Sequence, residues 1–254
     1  ALASCIGMAL GTVLGLLPFL RKKLPLRFVR GRVPLHQLAA LLANGSSEFF
    51  SSIAGSVLMV ILNSVLLHLA GTPAVSAFSI VMYVDSIVGA LLFGMADSMQ
   101  PAISYNYGAG SRTRMFALEK RVLTAAAAIS LAVLVWMQLG GEQVIPLFLK
   151  KEDSALLDMT LRAMELFSLS YLLGWVSTCL SSFFTALNRP GLSLILAFSR
   201  TLIFPLLSLL VLPGALGLDG VWLISTATGV LAAILSLLFL LRVLRQEKLL
   251  SRTA

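Results

Sequence analysis

Asp85, Glu48 and Arg200 are ionisable groups set in or at the edge of long apolar stretches, where a charge needs a specific role. At mid-depth in hydrocarbon such a group costs roughly 2.5–3.5 kcal/mol on insertion scales, so it marks an ion or substrate path by default. Asp85 is the deepest acid. It lies about twelve residues into its stretch, or roughly 18 Å down at 1.5 Å per residue, near a bilayer midplane. It serves either as a proton or cation site, or as a buried acid bonded to hydroxyls or to a base such as Arg200. Glu48 follows Asn44-Gly45-Ser46-Ser47 and also has two readings. It complements the dipole of a helix capped by Asn44 or a serine, or it is a carboxylate at a cavity mouth. In the second case Phe49 and Phe50 are placed to stack on a flat cation. Arg200 either snorkels to the nearer interface or turns inward towards an acid. Asn63 and Gln100 are uncharged but still require hydrogen-bond partners in hydrocarbon.

The elements that must position these groups follow from composition. The 254 residues are 58% hydrophobic and 12% charged, with a mean hydropathy of +0.96. A soluble domain carries about twice that charge. Crossing the hydrocarbon core takes about 20 mostly apolar residues, and seven stretches qualify or nearly do: 1–20, 46–69, 74–99, 117–139, 155–186, 192–212 and 220–241. Breakers stand between them at Gly71-Thr72-Pro73, Gly108-Ala109-Gly110, Gly140-Gly141, Asn188-Arg189-Pro190-Gly191, and Pro213-Gly214 with Asp219-Gly220. The residues 34–43 read as a short interfacial helix leading from a basic linker into the second span.

Charge then orients the chain. Arg21, Lys22, Lys23, Arg27, Arg30 and Arg32 fill the first gap, and Arg112, Arg114, Lys120 and Arg121 the third. Arg189 lies in the fifth gap, and Arg242, Arg245, Lys248 and Arg252 in the tail. The intervening gaps hold only Lys150 and Lys151, beside Glu152 and Asp153. Basic residues accumulate on the cytoplasmic side, which places these loops and the C-terminus there, in a cell inner (plasma) membrane. The net charge of +8 is explained by this topology and by anionic lipid, with no nucleic-acid partner required.

Several chemistries are missing. There is no Asp-rich pair of the prenyl- or phosphotransferase kind, no HExxH, no P-loop and no His-Cys ligand set, so no enzyme or metal site is expected. Cys5 and Cys179 sit in apolar runs as small hydrophobes. Ser46, Ser47, Ser51, Ser52, Gly55 and Ser56 read as close helix packing. Arg162 and Glu165 are spaced for a local ion pair, and Asp97 reads as an interface residue.

The stretch Gln100-Pro101-Ala102-Ile103-Ser104-Tyr105-Asn106-Tyr107-Gly108-Ala109-Gly110 resembles the end of the eighth helix in multidrug and toxic compound extrusion (MATE) transporters. Asn44-Gly45-Ser46-Ser47-Glu48-Phe49 is similar to the opening of helix seven, and Ala186-Leu187-Asn188-Arg189-Pro190-Gly191 to the loop between helices ten and eleven. Gly71-Thr72-Pro73-Ala74-Val75 and Gly217-Leu218-Asp219-Gly220-Val221 echo one another, as repeated helical pairs should. The resemblance implies an all-α integral membrane protein, the helical bundle of a six-helix C-terminal lobe plus the end of a preceding helix. Its register makes 1–20 the end of helix six, 21–34 the cytoplasmic inter-lobe linker, 35–242 the lobe and 243–254 the tail. The chain then begins within an earlier transmembrane helix, and its missing N-terminal lobe is a partner along with the lipid bilayer.

The function implied is efflux of small-molecule organic cations, typically amphipathic, by antiport against H⁺ or Na⁺ with no other cofactor. Substrate or ion contacts are expected at Glu48, Asp85, Phe49, Asn63, Gln100, Tyr105 and Arg200. The acids that one branch carries midway along helices seven and ten have no counterpart near Gly55 and Ser56 or near Gly174 and Trp175. Two alternatives stand beside this reading. One is a lipid-linked oligosaccharide or polysaccharide flippase of the same superfamily, which would want more arginine than Arg200. The other is a non-transporting half-gene scaffold.

Overall fold

A computed structural model describes residues 2–20, 31, 34–144 and 154–253 of the chain. The basic linker at 21–30 and 32–33 and the run Lys150 to Asp153 therefore lie outside the described residues. The described residues form helices and turns, with no strand among them. They fall into two compact units, residues 1–43 and 44–254.

The first unit holds α1 (Leu2–Leu20) and the start of α2 (Leu35–Ser98). In α1 the side chains of Leu2, Ile6, Met8 and Leu10 are exposed. A surface so apolar is solvated by lipid tails rather than water.

The second unit continues α2 and adds α3 (Gln100–Gly108), α4 (Arg112–Val144), α5 (Ser154–Ser168) and α6 (Gly174–Ala186). It ends with α7 (Pro190–Phe198), α8 (Phe204–Leu216), α9 (Leu218–Trp222) and α10 (Ile224–Thr253). Four of the described helices are long and apolar enough to cross a membrane, or five if the pair bent by 43° between α5 and α6 counts as one span. The chain is thus a multi-pass membrane protein.

Within α2 two spans are joined at Gly71, whose φ of 73° and ψ of −164° are open to a residue without Cβ. Leu62 and Leu66 before that break and Ala77, Val81, Val84 and Val88 after it belong to one buried cluster, with Ala126 of α4 and Phe167 of α5. A second cluster joins Ile103 and Met115 to Leu180, Phe183, Phe184, Leu196 and Val243.

Chain reversals fall near the expected breakers with three differences. The loop at 188–189 turns through Asn188, in the left-handed region at φ 54°, and Arg189 then caps α7. Gly140 and Gly141, however, lie inside α4, and Pro213-Gly214 lies inside α8, whose end is Gly217. Backbone polar groups in hydrocarbon favour continuing a helix over exposing a turn, so two weak breakers yield. The helix also runs unbroken through Asn44-Gly45 from Leu35, so the separate interfacial helix and the Asn44 cap are not formed. The tail expected from 243 onward continues α10.

Candidate functional site

Asp85 sits on a face of α2 with Gly89, Leu92 and Phe93, spaced four, seven and eight residues on. That spacing returns each residue to the same side of a helix. This face borders a cavity of about 310 Å³. Across it lie Phe167, Ser170, Tyr171, Gly174, Trp175, Ser177 and Thr178 around the junction of α5 and α6. Arg200, Thr201 and Pro205 come from the sixth expected span, and Ile224, Ser225, Thr228 and Gly229 from α10.

Two irregular turns shape the cavity. A 3₁₀ turn at Leu169–Leu172 interrupts the expected span 155–186, and a π turn at Ser199–Ile203 interrupts 192–212. Each re-aims one polar side chain, as such turns inside helices do at functional sites. The first presents Tyr171, whose hydroxyl donates to Asp85 Oδ1 at 2.7 Å. The second presents Arg200, which donates to Thr178 Oγ1 and lies 5.1 Å from the centre of the Phe93 ring. Close approach at the back of the cavity depends on Gly229. A Cβ there would stand 3.2 Å from the Gly174 backbone and 3.5 Å from Ser170 O. Thr228 is also among the lining residues, and its Oγ1 is buried without a hydrogen-bond partner.

The structure thus brings Asp85 and Arg200 into one cavity, and the acid is bonded to a hydroxyl. Gln100 lies elsewhere. Its Nε2 donates to Asp97 Oδ1 at 2.8 Å, and Ser182 donates to the same oxygen at 2.6 Å. Tyr105 and Phe49 are 77% and 62% exposed and do not line the cavity. Asn63 is half-buried and also outside its lining. Glu48 falls inside α2 rather than in a first turn, which removes the dipole argument, and its side chain lies outside the described residues.

Tyr171, Trp175, Thr178 and Thr228 were not legible as site residues in the sequence. Sequence spacing could have offered Gly89 and Phe93 as neighbours of Asp85, but nothing in it announces the 3₁₀ turn that aims Tyr171. Glu119 was also missed. It is 4% exposed on α4, outside the cavity lining, and its Oε1 has no hydrogen-bond partner. The Arg162–Glu165 pair forms at 3.0 Å, and Asp219 joins it at 2.9 Å from α9. Cys5 and Cys179 are free thiols. No cluster of His, Cys, Asp and Glu able to hold a metal ion occurs among the described residues.

These spans and this cavity define a polytopic, all-helical membrane protein with a carboxylate and a guanidinium facing one internal space. A family model described as MatE matches residues 49–210, more than half of the chain, and the chain belongs to that family. It is similar to a solved structure described as the outward-facing conformation of a multidrug resistance MATE family transporter of the MOP superfamily. The TM-score is 0.85 at 22% identity, over 96% of this chain and 55% of that one. The inward-facing conformation of such a transporter matches with a TM-score of 0.76 at 24% identity, over 87% and 50%. A MOP superfamily transporter from Pyrococcus furiosus, described as having a binding pocket of reverse polarity, matches with 0.81 at 21%, over 90% and 52%. The fold is therefore that of MATE transporters, and the chain spans about half the length of these structures. No curated protein matches it.

Proposed function

We propose that the chain forms the C-terminal lobe of an efflux antiporter in which Asp85 contacts the exported organic cation, the coupling ion, or both in turn. The observation that carries this reading is the Asp85–Tyr171 pair facing a cavity with aromatic walls at Phe93, Phe167 and Trp175. A carboxylate attracts a cation, and the aromatic faces add to that attraction. The Asp85 carboxylate and the hydroxyl of Ser225, which lines the same cavity, are hard oxygen donors of the kind Na⁺ accepts, and the carboxylate itself accepts H⁺. A proton or Na⁺ held at Asp85 weakens its pull on a cationic substrate, and that competition couples the two fluxes. Members of this family move solutes and do not make or break bonds, which supports a role other than an enzyme's.

Placement of the C-terminus in the cytoplasm of a cell with this protein in its inner membrane rests on the alternation of basic gaps. A second reading is favoured by Arg200 in the same cavity, since a guanidinium suits the phosphates of a lipid-linked saccharide. Two substitutions in the intact transporter separate the readings. For the antiporter, Asp85→Asn lowers organic-cation efflux at least about tenfold, the loss of roughly one charge-assisted contact, while membrane insertion is unchanged. Arg200→Gln then leaves efflux within a few-fold. Full efflux by Asp85→Asn, or lipid-saccharide translocation that Arg200→Gln abolishes, would sink the antiporter reading.

A further inference from the structure

The break between α5 and α6 is tied down by side chains from two other helices. Ser168, the last residue of α5, is buried and donates to Glu165 O at 2.7 Å. Gln138 of α4 donates through Nε2 to that Ser168 Oγ at 2.8 Å and to Glu165 O at 3.0 Å. Thr226 of α10 donates to Leu166 O at 3.3 Å. Beyond the turn, Trp175 Nε1 donates to Leu172 O at 3.1 Å. The 3₁₀ turn at Leu169–Leu172 is thus bracketed by carbonyls that accept from side chains. A serine that bonds back to its own helix one turn earlier favours a bend there. Irregular backbone inside a membrane persists only where neighbouring helices and hydroxyl side chains satisfy it.

We infer that Gln138 and Thr226 are positioning residues for the Asp85–Tyr171 pair. Tyr171 follows Ser168 by three residues. Winding those three at 3.0 rather than 3.6 residues per turn rotates Tyr171 by about 60° relative to a regular helix. Such a rotation decides whether its hydroxyl reaches Asp85 Oδ1, 2.7 Å away. Met137, next to Gln138, belongs to the buried cluster that holds Phe167 and Tyr171, so the packing that buries Tyr171 also delivers the Gln138 amide to the turn. Gln138 itself is exposed and water can solvate it, but Ser168 is 0% exposed and has no water to replace the amide. Neither Gln138 nor Thr226 lines the cavity, so each acts through Tyr171 and not by touching an ion. The consequence for transport rests on the reading of Asp85 as a cation contact, whereas the consequence for the turn does not.

Hydrogen exchange read by mass spectrometry on the protein in detergent tests the turn. Gln138→Leu should speed exchange of the 169–173 amides about tenfold, the loss of two hydrogen bonds of modest strength, with 180–184 in α6 unchanged. Thr226→Val, nearly isosteric, should act the same way and less strongly, since its bond is longer. In the full transporter, the H⁺ or Na⁺ concentration for half-maximal efflux should move at least about threefold in Gln138→Leu, in the direction that Tyr171→Phe moves it. In a Tyr171→Phe background Gln138→Leu should add nothing, because two residues that act through one bond are not additive. Wild-type exchange at 169–173 in Gln138→Leu overturns the inference whatever transport does, and so does an efflux shift that adds to that of Tyr171→Phe. If Tyr171→Phe leaves the ion dependence unchanged, the Asp85 reading fails, and the exchange result alone then decides whether Gln138 and Thr226 hold the turn.

Discussion

Tyr171 is 6% exposed and donates its proton to a carboxylate inside a membrane span, so each group satisfies the other where water is scarce. Hydrogen bonds to charged groups contribute roughly 1.5–3 kcal/mol. Tyr171→Phe and Asp85→Ala should therefore be coupled by about that amount in a double-mutant cycle on thermal unfolding in detergent, and additive effects would show the bond to be unimportant. Glu119 is the contrasting case, because it is buried with an unpartnered oxygen and touches nothing in the cavity. Replacing an unsatisfied buried group by an apolar one of similar size recovers about 1–2 kcal/mol. Glu119→Met should accordingly raise the unfolding midpoint. A lowered midpoint would mean that Glu119 has a partner in the assembled protein.

At the level of elements, the irregular turns matter more than the straight helices. The 3₁₀ turn at Leu169–Leu172 and the π turn at Ser199–Ile203 face the cavity from opposite elements, and each carries one of its polar groups. The first of them packs closely on α10, and Gly229 permits this. A methyl at 229 meets backbone at 3.2 Å, which cannot move as a flexible side chain does. Overpacking of this kind costs about 1–3 kcal/mol, so Gly229→Ala should lower the unfolding midpoint and Gly229→Val more so. At Gly220 the conflict is worse, with an added Cβ 2.3 Å from Leu212 O, and Gly220→Ala should reduce the yield of folded protein in membranes. Wild-type yield from Gly220→Ala would mean that α9 and α8 part readily. The ion pairs of Arg162 are exposed and screened by solvent, so Asp219→Asn should leave the midpoint near that of the wild type.

For the molecule as a whole, the property to test is topology, which sets the side of the membrane that each loop faces. The basic gaps predict that positions 113 and 188 face the cytoplasm and position 215 the outside. Thr113→Cys, Asn188→Cys and Ala215→Cys, each in a background with Cys5 and Cys179 removed, test this with a membrane-impermeant maleimide. Only Ala215→Cys should react in intact cells, and labelling of Asn188→Cys from outside would invert the orientation. Apolar surface on α1, on Leu210 of α8 and on Leu238 of α10 is exposed in the described structure and is the surface that lipid covers.

That the chain crosses a membrane several times in apolar helices was determined by local sequence, because hydrocarbon admits only long apolar helices with polar ends, although Gly140-Gly141 and Pro213-Gly214 did not break them as expected. Asp85 and Arg200 could be named as candidates for the same reason, since a charge in such a span is conspicuous wherever it points. What the sequence left undecided was direction. Whether Asp85 meets Arg200 or a hydroxyl depends on the Tyr171 turn, and Tyr171 lies 86 residues further along the chain. Gln100 and Tyr105 were expected beside Asp85 among the contact residues, yet Gln100 pairs with Asp97 and Tyr105 faces outward. Tertiary packing alone decided these outcomes, because a helix of 3.6 residues per turn offers every side chain a direction but not a neighbour.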